Sequence, residues 1–136
     1  MYETFEHTAD LGLRVAAGSR EDLFAEAARG LFSMIVPDLA SVRLTQTREL
    51  TIAGQEIDYL LFDWLNELLY IFDTQRLLLA DFEVRLNDDG LIATTRGEAY
   101  DPKRHRLDHE VKAITYHGLR VDEDETGWRG EVIVDI

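Results

Sequence analysis

The sequence predicts an α+β fold in a single domain, residues 1–136: a largely antiparallel sheet of six or seven strands carrying two long helices. Three observations lead there. Residues 19–36 and 56–73 space their apolar side chains at helical period. Most of the remaining chain alternates at period two between turn-forming residues. At 136 residues, 46% hydrophobic and 30% charged, the chain suffices for one compact core, with no repeat or low-complexity linker to divide it.

In chain order, "EHTADLG" at 6–12 opens with a strand-like apolar pattern that Asp10 interrupts. "SREDLFAEAARGLFSMIV" follows, with Ser19 and Asp22 in the spacing of a capping box. Phe24, Ala27, Ala28, Leu31 and Ile35 then mark one helical face, and Val36-Pro37 ends it. Residues 42–52 alternate through Val42, Leu44, Leu50 and Ile52, closed by Gly54. The second helix, "EIDYLLFDWLNELLYIFD", carries a stripe of Ile57, Leu60, Leu61, Trp64, Leu65, Leu68 and Phe72. Phe62, Leu69 and Tyr70 widen it, so this helix is central or part of an interface, and a homo-oligomer is one use of such a face. Residues 82–86 alternate before the turn "NDDG" at 87–90, and "LIATTRGEAY" returns as a hairpin strand. "HEVKAITYH" at 109–117 alternates again; "GLRVD" and "WRGEVIVDI" flank the acidic turn "DEDETG".

Charge narrows the function. Twenty-seven acids against fourteen bases leave a net −13, a surface that repels phosphate backbones and suits a basic partner or a cation. Direct, strong nucleic-acid binding is therefore not expected. No apolar run nears the ~20 residues that span a bilayer, and "MYETFEHTAD" has no secretory pattern, so the expected location is cytoplasmic, with no membrane contact. The absence of cysteine excludes disulfides, thiolate metal sites and Cys nucleophiles.

The chemistry gathers on unaccompanied acids. In the last strand Val132, Val134 and Ile136 share one face; Glu131, Ile133 and Asp135 share the other. Only Ile136 follows Asp135, which puts an α-carboxylate beside its side chain. Adjacent carboxylates repel unless a cation lies between them. Oxygen-only ligands favour Ca²⁺, Mg²⁺ or Mn²⁺ over Zn²⁺. Asp10 is a third anionic ligand if it reaches the same point. On pattern alone the other reading stays open: Asp10 caps a turn before Gly12, and Asp135 is a solvated terminal acid. Lys112, in line with Ile114, either snorkels to solvent or neutralises acids at the sheet end. His7, His109 and His117 lack the tight spacing of a metal or proton-relay motif. "DPKRHR" at 101–106 reads as a solvated hairpin tip. There is no GxGxxG, no GxxxxGK[ST], no GxSxG, and no nucleophile–base–orienter set; the sequence does not read as an enzyme.

Taken together, "EHTADLG", "EDLFAEAARGLFSMI", "LLFDWLNELLYIFD", "GEAYDPKRH", "HEVKAITYHGLRV" and the terminal "VIVDI" resemble the archease family from residue 3 to the last residue. The resemblance implies a small α+β protein, not itself an enzyme, that assists the GTP-dependent RNA ligase of tRNA splicing or RNA repair. That ligase takes GMP onto a histidine, using manganese, and joins a cyclic-phosphate or 3′-phosphate end to a 5′-hydroxyl end; the archease promotes guanylylation and multiple turnover. The resemblance also implies a divalent metal, seen as calcium, at Asp10, Asp135 and Ile136, and makes Lys112 a further functional candidate. His7 and His117 are the remaining candidates. Two competing readings are a chaperone or adaptor for an RNA-modifying enzyme such as a tRNA methyltransferase, working through the apolar face of the second helix, and a metal-dependent hydrolase using His7 or His117 as base.

Overall fold

A computed structural model of the chain describes residues 1–7 and 10–136, the side chain of His7 excepted. The N-terminal stretch is an antiparallel pair, β1 (Tyr2–His7) and β2 (Asp10–Ala17). In β2 the alternation works as the pattern requires: Leu11, Leu13 and Val15 are buried while Arg14 is exposed. Helix α1 (Arg20–Ile35) starts at Ser19, whose Oγ accepts the Asp22 amide hydrogen at 3.1 Å. Its predicted face is buried throughout, each of Phe24, Ala27, Ala28, Leu31 and Ile35 at 1% exposure or less. Helix α2 (Ile57–Gln75) buries Leu60, Leu61, Trp64, Leu65, Leu68, Leu69, Ile71 and Phe72. The indole nitrogen of Trp64 donates to the Phe24 carbonyl at 2.9 Å, which locks the two helices together inside the core.

The other strands are β3 (Gln46–Ala53), β4 (Leu77–Asn87), β5 (Gly90–Ala99), β6 (Ala113–Ile114), β7 (Arg120–Asp124) and β8 (Gly127–Asp135). They form two antiparallel sheets: β1-β2-β8-β6, with β7 also paired to β8, and β3-β5-β4. Each helix touches strands of both sheets. Phe82 of β4 stacks on Phe32 of α1 at 6.0 Å and takes the edge of Trp64 of α2 at 6.2 Å, so one ring joins the small sheet to both helices.

The α+β class and the two helices stand as predicted; the strands need correction. Among the described residues there are eight strands in two sheets, where the sequence predicts six or seven in one. The strand predicted from 42 begins at Gln46, because Leu39–Ser41 turn as a 3-10 helix and the Arg43 amide donates to the Glu98 carboxylate at 2.7 Å. The strand predicted at 82–86 runs from Leu77, since Leu77, Leu78 and Leu79 are all buried and show no alternation. "HEVKAITYH" shrinks to two strand residues because its start has other bonds to make. The Asp108 and His109 amides donate to the Ile35 and Met34 carbonyls, satisfying the end of α1.

Candidate functional site

Strand β8 lies between β2 and β6, and that position assembles the candidate site. The register sets Asp10 opposite Asp135, His7 opposite Asp10 and Ala113 opposite Asp135. One row across four strands therefore reads His7, Asp10, Asp135, Ala113. Directly opposed residues of an antiparallel pair share a face, with Cβ atoms ~5 Å apart. The two aspartates thus stand side by side on the face away from Leu11 and Val134. Asp10 is half-buried and Asp135 exposed. The Lys112 amide donates to the Asp135 carbonyl at 2.7 Å, tying the segment before β6 to the same point.

The two neighbouring rows show how this face of the sheet is built. Next along, Phe5 opposes Gly12 and Gly12 opposes Ile133. The Phe5 ring lies across Gly12, so close that a Cβ there would fall 2.0 Å from the ring, which explains the glycine of "EHTADLG". One further step brings Glu3, Arg14 and Glu131, a cation between two acids. Arg14 bonds Glu3 at 3.2 Å and Glu131 at 3.3 Å and stacks over Phe5 at 4.1 Å. Its guanidinium pKa is raised, first by the Glu3 hydrogen bond, against some desolvation and with further support from Glu131. The sheet therefore balances its charges in the Arg14 row.

Two facing carboxylates offer oxygen donors, which suit a hard divalent cation. Among the described residues no three His, Asp or Glu side chains converge. The remaining candidates distribute as follows. The side chain of His7 lies outside the described residues; only its register position is available. Lys112 is exposed and lines a groove with Asp73, Arg76, His109 and Glu110. His117 is exposed on the turn after β6, where its amide donates to Thr115 Oγ1 at 3.2 Å, and among the described residues it joins no cluster of acids.

Sequence reasoning missed a second polar cluster. The segment read as a solvated hairpin tip instead buries His105, at 4% exposure. Its Nδ1 accepts the Asp101 amide hydrogen at 2.8 Å, which leaves Nε2 to donate to Glu98 at 2.9 Å. Glu98 also accepts from the Arg43 amide and from Arg104. Burial pushes the Glu98 carboxyl pKa up, but these three hydrogen bonds and the Arg104 charge outweigh it and hold it at about 2. The cluster clamps the chain after β5 against the turn before β3. A solvated basic run and a buried histidine look alike in sequence; Glu98, seven residues away, is what separates them.

Comparison with known proteins agrees with this architecture. A sequence profile of the archease protein family (MTH1598/TM1083) matches residues 2–136. The chain is 40% identical over 139 residues to protein archease of Methanopyrus kandleri, covering 99% of both. It is 38% identical over 140 residues to that of Pyrococcus abyssi, covering 99% of this chain and 98% of the relative. The solution structure of Methanobacterium thermoautotrophicum protein 1598 is similar at a TM-score of 0.84 with 32% identity, over 99% of this chain and 98% of that one. The crystal structure of an archease described as a possible chaperone, TM1083 of Thermotoga maritima, shares the fold at a TM-score of 0.67 with 24% identity, over 100% and 98%. Full-length match to the profile, relatives at this identity and the same arrangement of helices and sheets leave one assignment: the chain belongs to the archease family.

Proposed function

We propose that the protein is a non-enzymatic activator of a GTP-dependent RNA ligase, acting through a divalent cation held by Asp10, Asp135 and the main-chain oxygen of Ile136. The observation that carries this reading is the direct opposition of Asp10 and Asp135 on adjacent strands. A cation between two facing carboxylates is attracted by both charges. Calcium fits the oxygen donors, as do magnesium and manganese. Bound there, the cation supplies positive charge for a phosphate group. Lys112 adds a flexible ammonium on the neighbouring segment, next to the Asp135 carbonyl its amide holds. His7 stands in the same register row, and His117 lies on the turn beyond it.

The net −13 charge supports docking to a basic protein such as a ligase whose channel holds RNA, and opposes direct RNA binding. In this reading the acidic end of the large sheet borders the ligase active site and promotes its guanylylation. A chaperone working through the apolar stripe of α2 is disfavoured, because Leu60, Leu61, Trp64, Leu65, Leu68 and Phe72 are inside the core. No helix among the described residues is long and apolar enough to cross a membrane.

The test is a ligation assay with catalytic amounts of the protein, the ligase from the same organism and excess RNA carrying cyclic-phosphate and 5′-hydroxyl ends. Wild type is expected to raise the number of turnovers and Asp135→Ala to lose that effect while remaining folded. Equal stimulation by both proteins retains the partner and removes the site. No stimulation by either removes the ligase, and suppression of aggregation of unrelated proteins then becomes the measurement that decides for a chaperone.

A further inference from the structure

An exposed aromatic corner lies where the N-terminal turns of α2 meet the β6–β7 turn. Tyr116 stacks on Phe62 with centroids 3.9 Å apart and planes at 15°. Tyr59 meets Tyr116 nearly at right angles, 5.8 Å away. Phe62 covers one face of Tyr116, yet Tyr116 remains 59% exposed and Tyr59 54% exposed, so the rings are ordered against one another and open to solvent. A cavity is lined here by Glu56, Asp58, Tyr59, Tyr116 and Leu119. Asp63 lies one helical turn beyond Tyr59. Among the described residues, none of Glu56, Asp58 and Asp63 makes an ion pair, and no lysine or arginine lines the cavity.

The two components have ordinary explanations taken singly. Acids in the first turn of a helix complement its dipole, and isolated exposed tyrosines are common. Their coincidence is what needs explaining. Open ring faces attract a cation through their quadrupole, and a guanidinium stacks flat on a ring while its edge bonds carboxylates. A ring floor, a perpendicular ring wall and unpaired acids beside them fit that group better than a compact ammonium.

We propose that the Tyr59–Tyr116 corner, with Glu56 and Asp58, is a docking site for an arginine side chain on a basic protein partner. It is separate from the Asp10–Asp135 row and does not require the partner to be an RNA ligase. Tyr116 is presented by a turn closed by the Leu119 amide on the Tyr116 carbonyl at 3.2 Å, with Gly118 at φ +61°, so the ring can be removed without disturbing the core.

The experiment is an NMR titration of the full chain with the peptide acetyl-Gly-Arg-Gly-amide, following the ring resonances of Tyr59 and Tyr116. Parallel titrations use the citrulline peptide, which keeps the shape and removes the charge, and the lysine peptide. Saturable shifts centred on the two tyrosines are expected with arginine, with affinity lowered about fivefold in Tyr116→Ala and by a similar factor in Glu56→Gln/Asp58→Asn. Shifts scattered over the acidic surface would show a general charge effect and overturn the site. Equal binding of the citrulline or lysine peptide would overturn the guanidinium stacking, as would unchanged affinity in Tyr116→Ala.

Discussion

Replacing Glu98 by Gln removes a buried charge while keeping the shape of the side chain. In the native fold this carboxylate receives the Arg43 amide at 2.7 Å, the His105 ring at 2.9 Å and the Arg104 guanidinium, with its side chain only 11% exposed. Desolvation opposes the charge, the three donors and the Arg104 charge more than offset it, and the pKa falls from 4.5 to about 2. At 1.36 kcal/mol per pH unit that difference corresponds to about 3 kcal/mol of stability. Because the folded value is the lower one, this contribution is complete above the unfolded value of 4.5 and disappears as pH falls through about 2. The linkage leaves about 1.5 kcal/mol of it at pH 3. Glutamine cannot titrate, and its amide nitrogen must point at a donor. Urea denaturation followed by the fluorescence of Trp64 and Trp128 is the assay. The variant should be about 3 kcal/mol less stable at pH 7, or about 10 °C lower in Tm for a chain of this length. The gap to wild type should be halved by pH 3. Glu83→Gln is the control, since its side chain is 64% exposed and its contact with Arg96 is long at 3.4 Å; it should change stability little. A Glu98→Gln gap that does not shrink with pH, or that is under about 1 kcal/mol at pH 7, would refute the reasoning.

Asp135→Asn should lower stability appreciably only when metal is present. In EDTA it removes one of two facing carboxylates and should shift stability by no more than about 0.5 kcal/mol in thermal melts. With calcium at a hundredfold excess over its dissociation constant, wild type should gain about 2.7 kcal/mol and the variant almost nothing. Gly97→Ala tests the small sheet: a Cβ there would stand 1.8 Å from the Leu78 carbonyl oxygen, beside the bulge between Leu79 and Asp81. The Leu78 carbonyl group and Leu79 Cα that it would meet are backbone, so β4 and β5 must part, and the urea midpoint should fall by the equivalent of about 3 kcal/mol. A change within about 1 kcal/mol would show that the bulge absorbs the methyl group.

The sequence by itself determined the features that depend on near neighbours. Helical periodicity placed the buried stripe of α1, the Ser19 cap gave its start, and the apolar face of α2 was legible because each position repeats every turn. The alternation of Glu131, Ile133 and Asp135 against Val132 and Val134 was equally local, and the register confirms it. The family, too, was legible from motifs running the length of the chain. Features that depend on distant segments were not. Leu77–Leu79 have no alternation because both faces of that strand end are covered, so this end of the strand was invisible until the helices were in place. His105 read as a solvated basic residue because its partner Glu98 faces it only after the chain turns back. Above all, spacing could not say whether Asp10 meets Asp135: one begins β2, the other ends β8, and only the antiparallel pairing of those strands sets the two carboxylates against each other. Local periodicity fixes which face a side chain takes; which other side chain it meets there is decided by strand order and register, and these follow from burying the common core.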